Sequence, residues 1–485
     1  MINRLFKPGR REGCGIVLAA FGLRLPPWLV FVGIGGLSGW LLPAAADMTA
    51  VSNQTGGGSD WAEPDQIGQA PGAPQTGPAA VSAPPSQDAA VAEAPAASEP
   101  EVIINGAKQS IGRPDVAPVV EVRTTYDDNI FIGHTNRVSD VYTTVVAGLA
   151  VGWGDFRDQV TPLGAFEETY EQLRTPDFDS RRFLFASYTP GYTAFVKNSD
   201  ENTVNQNATV GARWSFGDLT CDLQANYRLF SDTTADVGTR AQESQFNIAM
   251  NNQYVMTART GLEADLNVIT HDYNLSSLVN STEFVDRNYL NYQLLPKTMV
   301  SAGLVLGYVA VDEGPNQTYE QGLLRIAYDS GSKATANLFG GVEYRQFTEG
   351  AGDETNPVFG LQAKYAPVDG TTIQLQASRL VTNSAEYASQ NIVTTGGTLS
   401  ISQLLFQKVT LTLLGGYEHD QYGGVSGAGD IQRTDDEIEG EASLAFHVTA
   451  FMAVSLAYDY WHNISSLATY SFEDSRASID LNLMF

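Results

Sequence analysis

The chain ends RASIDLNLMF, Arg476 to Phe485. Ala477, Ile479, Leu481, Leu483 and Phe485 occupy one parity, and Ser478, Asp480, Asn482 and Met484 the other. A period of two belongs to a strand with one apolar and one mostly polar face. The same texture runs upstream from Pro118. Leu219, Cys221, Leu223, Ala225, Tyr227 and Leu229 alternate with Thr220, Asp222, Gln224, Asn226 and Arg228. Leu262, Ala264, Leu266 and Val268 alternate with Glu263, Asp265 and Asn267, and Met452, Val454, Leu456, Tyr458 and Tyr460 bracket Ser455 and Asp459.

A soluble β-sandwich also alternates, so three further features decide. The strands read as about 12 residues, where soluble strands average roughly five or six. Tight connections, such as Phe216–Asp218, Pro296–Lys297 and Phe406–Lys408, alternate with long ones, such as Ser231–Arg240, Asn383–Asn391 and Asp420–Arg433. Aromatic residues collect at both ends of the apolar face. Tyr227, Tyr308, Tyr344, Tyr417 and Tyr460 stand toward the long loops; Phe216, Tyr254, Tyr328, Tyr365, Phe446 and Phe485 stand toward the tight turns. Short turns, long loops and two aromatic belts are the pattern of a barrel in the outer membrane. The expected fold is all-β: a closed transmembrane antiparallel up-and-down β-barrel of about 18 strands, bounded by about 16 and 20. The segment Gly154–Ser180 is too long for a simple turn and could hide a hairpin, which is why the count carries a margin. Both ends of the barrel are expected on the short-turn, periplasmic side. Phe485 is expected to serve as the assembly signal read by the outer-membrane insertion machinery.

The formal charge is −27, which repels phosphates and argues against nucleic-acid binding. Residues 1–46 combine basic positions (Arg4, Lys7, Arg10, Arg11, Arg24), apolar stretches and a small-residue site at Ala44-Ala45-Ala46. They read as a signal peptide. Residues 47–101 have eight prolines, eight acids and no Lys or Arg, the composition of a disordered linker. Residues 102–117 form a short connecting segment before the barrel, 118–485. Glu101–Gly106 (EVIING) is a candidate short strand. The cysteines are Cys14 and Cys221, so processing would leave one, and no disulfide framework or cysteine metal site is expected.

TTYDDNIF at Thr124–Phe131, SDVYTT at Ser139–Thr144 and GDFR at Gly154–Arg157 resemble the family described as Putative beta-barrel porin 2. The motif covers some forty residues, and the barrel texture extends the resemblance over Pro118–Phe485. The resemblance implies an outer-membrane barrel labelled a porin or associated with polysaccharide export components. It implies no catalytic residues.

Asp127-Asp128-Asn129 reads as a strand-end turn, in which Asx side chains bond nearby backbone N–H groups. A calcium site from these oxygen ligands is the sharper alternative. The inward parity is polar in both signs. Arg228, Glu263, Asp265, Glu343, Arg345, Glu437, Glu439, Glu441, Asp459 and Asp480 are the pore-lining candidates; Glu437/Glu439/Glu441 are the candidate selectivity or divalent-ion element, the alternative being a position beyond the membrane facing external solvent. Inward aromatic candidates are few: Phe339, Phe347 and Trp461. The histidines stand beside no nucleophile motif such as G-x-S-x-G, so neither an enzyme nor a cofactor is expected. The expected function is an acidic-biased pore for small solutes or for polysaccharide export. The alternative is a plugged structural or adhesive barrel. The two differ in conductance and in whether loops fold inward.

Overall fold

The computed structural model describes residues 101–485 except 105–106, 111–112, 158–181, 332, 349–351, 388–389, 425–431, 450 and 485. The expected signal peptide, nearly all of the linker and Phe485 lie outside the described residues. A short antiparallel hairpin comes first, β1 (Glu101–Ile104) and β2 (Ala107–Ser110). The candidate strand in EVIING is thus present, with a partner that the sequence reading did not name.

The barrel strands follow: β3 (Asp115–Asp127), β4 (Asp140–Gly154), β5 (Phe183–Phe195), β6 (Thr203–Phe216), β7 (Leu219–Thr234) and β8 (Thr239–Val255). Next come β9 (Thr260–Tyr273), β10 (Ser281–Leu295), β11 (Thr298–Val311), β12 (Gln317–Asp329), β13 (Ala334–Phe347) and β14 (Asp353–Tyr365). The last are β15 (Thr371–Asn383), β16 (Gln390–Leu405), β17 (Val409–Gly424), β18 (Arg433–Thr449), β19 (Met452–Ser465) and β20 (Phe472–Met484). Each pairs antiparallel with the next, and β20 returns to β3 in the register Arg476↔Asp127 to Met484↔Val119. Eighteen strands therefore close one ring. Closure matters because an open edge would leave backbone N–H and C=O groups unsatisfied in lipid. β4 pairs directly with β5, so Gly154–Ser180 adds no strand to the ring, although 158–181 itself lies outside the described residues. β3 begins at Asp115 rather than at Pro118.

Burial confirms which parity faces which medium. Outward positions carry exposed large apolar side chains, among them Leu262, Leu290, Leu304, Leu324, Leu413 and Leu456. Inward positions carry buried polar ones, among them Arg213, Glu263, Arg287, Arg325, Glu343 and Asp480. The belts hold as well: Phe216, Tyr254, Tyr328, Tyr365 and Phe446 are exposed at the short-turn end, and Tyr227, Tyr344 and Tyr417 toward the long-loop end. The tight turns fall where expected. At the three-residue β16–β17 turn, Phe406 (φ 52°) and Gln407 (φ 61°) adopt the left-handed conformation, and Lys408 N–H donates to the Leu405 carbonyl (3.2 Å).

Two features depart from the sequence reading. The strands run 13 to 17 residues, longer than a membrane crossing needs. The excess pairs beyond the long-loop belt, so the β7–β8 connection shrinks from Ser231–Arg240 to 235–238. The second departure is a fold-in of the wall. β14 pairs with β15 only from Phe359↔Arg379 to Tyr365↔Ile373. Beyond that point Leu380, Val381, Thr382 and Asn383 are all buried, both parities alike. Gln390, Asn391 and Ile392 of β16 are buried in the same way. A wall strand cannot bury both faces, so this tip has left the wall. Leu380 and Val381 pack against Val285, Tyr319, Leu323 and Phe339, inward residues of β10, β12 and β13. Pro357 sits on the stretch of β14 that β15 does not pair, the edge position where sheets tolerate a residue without an N–H.

Candidate functional site

The β15–β16 tip is tied down by side chains from the inner wall. Arg345 Nη2 donates to the Val381 carbonyl (3.2 Å) and Gln317 Nε2 to Asn383 Oδ1 (2.8 Å). Behind these contacts Arg345 pairs with Glu343 (2.6 Å), whose other oxygen accepts from Gln321 Nε2 (2.7 Å). Neither side chain of the Arg345–Glu343 pair has any exposed surface. Their worth is positional, since a buried pair gains little net energy but is costly to break.

Past the tip, loops from far parts of the ring meet. The β7–β8 and β15–β16 hairpins stand eight strands apart in a ring of 18, nearly opposite. Contacts between them must cross the lumen. Asp236 accepts from Ala385 N (2.7 Å) and from Ser384 Oγ (3.0 Å). Val279, in the β9–β10 loop, donates its N–H to the Ala385 carbonyl (2.8 Å). Arg433, at the start of β18, is the hub. It donates to the Asp236 carbonyl (2.9 Å), to the Ala235 carbonyl and to Asp435, and lies 3.6 Å from Glu386. Its guanidinium stacks over Tyr470 (3.7 Å) and Tyr422 (4.2 Å). The Tyr470 hydroxyl reaches Glu386 and Tyr387. Trp461, Phe472, Ile132 and Ala235 form an apolar cluster beside the hub. The mouth at the long-loop end is bridged.

Desolvation pushes the Asp236 carboxyl above its ordinary value, against the pull of the Arg433 guanidinium. Glu386 is raised by the same cause. A carboxyl raised in the docked mouth holds its proton more tightly there than in released loops. The bridge therefore gains stability as pH falls through the raised values and loses it as pH rises. Single-channel conductance is expected to drop on acidification, and Asp236→Asn to weaken that dependence, with Glu386 sustaining the rest. A conductance that rises on acidification contradicts this sign.

The pore-lining candidates all lie on strands at inward parity, but they fall into two groups. The first is neutralised locally. Glu263 accepts from Arg325 Nη1 (3.3 Å) and Asn291 Nδ2 (3.2 Å). Glu343 is held by Arg345, Asp222 by Arg213 (2.7 Å), and Asp480 by Arg123. Asp265 stands opposite Arg287 in the ladder. Arg228 lies over the Phe230 ring (4.6 Å). The second group is an acidic wall on β17–β19. Glu418 faces Glu437, and Glu441 faces Asp459, directly across the strand pairs. Like charges in that position destabilise a sheet, so their presence calls for a reason other than stability. Glu439 and Glu441 are half-buried on the lumen side, while Glu437 is buried and accepts from Trp461 Nε1 (2.9 Å). The expected Glu437/Glu439/Glu441 cluster thus divides into one structural and two lumen-facing members.

Sequence reasoning missed Arg123, Arg287, Arg325, Arg433 and Arg476, all at inward positions. It also missed most inward aromatic rings. Phe339, Phe347 and Trp461 face inward as expected, but so do Phe183, Phe185, Tyr289, Tyr319 and Tyr422. Several of these rings are covered by guanidinium groups: Arg325 over Tyr289 (4.0 Å), Arg345 over Tyr319 (5.4 Å) and Arg213 over Phe183 (5.3 Å). The available signal was parity, since each arginine alternates in step with the polar face of its strand.

Asp127, Asp128 and Asp474 are the one group of carboxylates close enough for a metal ion among the described residues. Positive charge already stands there: Arg476 lies 3.4 Å from Asp127 and 2.7 Å from Asp474, and Arg137 3.8 Å from Asp128. Asp127 Oδ1 accepts from Asn129 N (2.7 Å), and Asp128 Oδ1 from Ser475 N (2.9 Å). The Asn129 amide ties Gly133 and the Glu473 carbonyl. This is an Asx turn that pins the first long loop to β20.

A family model described as Putative beta-barrel porin 2 matches residues 325–485, which takes in β13 to β20 and the end of β12. Among solved structures the chain is similar to the outer membrane protein opdK from Pseudomonas aeruginosa, with 11% identity, 76% of this chain and 99% of that chain covered, and a TM-score of 0.43. It is similar also to OccK3 (OpdO) from Pseudomonas aeruginosa, at 10% identity, 76% and 96% coverage and a TM-score of 0.41. Acinetobacter baumannii OccAB4 gives 11% identity, 76% and 98% coverage and a TM-score of 0.41. No curated protein matches. The chain is an outer-membrane β-barrel that resembles the porin-2 family through its C-terminal third.

Proposed function

We propose that the barrel is a passive, cation-preferring conduit for small hydrophilic solutes. In this reading the long loops face outward, both barrel ends face the periplasm, and residues 1–46 are the leader that directs export. The observation that carries the reading is the acidic wall of β17–β19. Its carboxylates stand opposite one another, Glu418 against Glu437 and Glu441 against Asp459, with Arg476 across from Asp459 on the β20 side. A low-dielectric wall strengthens the field of such charges in the lumen and raises the local cation concentration. The bridged mouth restricts the size of what passes. The inward rings support small solutes over a polysaccharide. A sugar chain needs open aromatic faces, and Tyr289, Tyr319 and Phe183 present theirs to guanidinium groups.

The test is ion selectivity in planar bilayers. Glu437→Gln/Glu439→Gln/Glu441→Gln is expected to bring the cation-to-anion permeability ratio severalfold closer to one without closing the channel. A triple variant with the wild-type ratio removes the wall from the account.

A further inference from the structure

We propose that a second copy of this chain docks on the lipid-facing side of β9–β11, with Asn288 at the centre of the contact. The outward parity of β10 reads Phe284, Asp286, Asn288, Leu290 and Tyr292. Phe284 packs with Tyr308 of β11 in the long-loop belt, and Tyr292 is exposed at the short-turn end. Asp286 and Asn288 therefore lie between the belts, at the depth of the acyl chains. In the ladder, Leu266 and Leu306 flank Asp286, while Ala264 and Leu304 flank Asn288. Asn288 Nδ2 donates to Asp286 Oδ1 (2.7 Å), and among the described residues neither side chain makes another hydrogen bond. The second amide hydrogen and the Oδ1 of Asn288 are left facing lipid.

A polar or ionisable side chain at this depth is costly and marks a contact rather than a lipid surface. Acyl chains offer it neither donor nor acceptor. A lipid headgroup lies beyond the aromatic belts. What the geometry calls for is a donor and an acceptor at the same depth. A second copy inserted in the same orientation supplies both. A two-fold axis along the membrane normal sets Asn288 against Asn288, and a carboxamide is complementary to itself, each N–H meeting the other's oxygen. The Asp286 carboxylate fixes the amide from behind, on its own strand. The methyl side chain of Ala264 leaves the approach to Asn288 open from the β9 side.

Covalent trapping and mass test the contact together. In a Cys221→Ser background, N288C in native outer membranes is expected to form a covalent dimer with a short bifunctional maleimide. L456C, on the lipid face of β19 across the barrel, is expected to form none. D286L/N288L places apolar groups in lipid, so it should keep its heat-modifiable barrel while its particle mass in mild detergent falls to half that of the wild type. Equal trapping at both positions, trapping of N288C only to another protein, or wild-type mass in D286L/N288L overturns the proposal.

Discussion

Arg433→Met is expected to open the mouth, raising single-channel conductance severalfold while heat-modifiable mobility is retained. Arg433 is buried and holds groups from two other loops at once, the Ala235 and Asp236 carbonyls and Glu386, together with Asp435 on its own strand. Methionine fills much of the volume but donates nothing. Asp435, with no exposed side-chain surface, would be left as an uncompensated buried charge. Removing one member of a buried pair costs about 3–5 kcal/mol. Charged to the docked mouth, that cost shifts the docked-to-released ratio by about a hundredfold or more. The cost falls on the bridge and not on the ring, because the wall ladders continue without Arg433. A variant that conducts like the wild type would place the bridge outside the path of the ions.

The second large effect separates the anchor of the tip from the stability of the wall. Arg345→Leu strands Glu343 in a site with no exposed surface, and should lower the temperature at which the folded band is lost, at a cost of about 3–5 kcal/mol. Glu343→Leu/Arg345→Leu removes both charges together. Apolar replacement of a whole buried pair is often neutral or stabilising, so the double variant should recover most of the lost stability. It should not recover the tether, because the Val381 carbonyl has still lost its donor. Conductance should therefore be raised in both variants, and thermal stability lowered mainly in one. If conductance returns with stability, Arg345 holds the wall rather than the tip.

Why the ring was legible and the mouth was not follows from what a strand displays. Each wall strand separates lipid from lumen, so its parity is written in the chain, and RASIDLNLMF, Leu219–Leu229 and Met452–Tyr460 could each be read alone. A closed ring of about 18 strands was expected from the same texture. The β15–β16 tip buries both faces, and its trace is local. Leu380-Val381 and Ile392-Val393 break the alternation at matching register, Val381↔Val393 and Thr382↔Ile392. Adjacent apolar pairs of this kind belong to a strand covered on both sides. The bridge left no comparable trace. Asp236, Ser384, Arg433 and Tyr470 are far apart in sequence and ordinary loop residues in type. The arginines beside the lumen acids were visible as parity, but Arg325 and Glu263 were not visible as partners, because they lie on strands that do not pair.

The most direct test of the account is the reversal potential of the wild-type barrel in a planar bilayer under a salt gradient. A small conductance with the reversal potential on the cation side is the predicted result. A barrel that conducts nothing even as Arg433→Met, or one that selects anions, would contradict it.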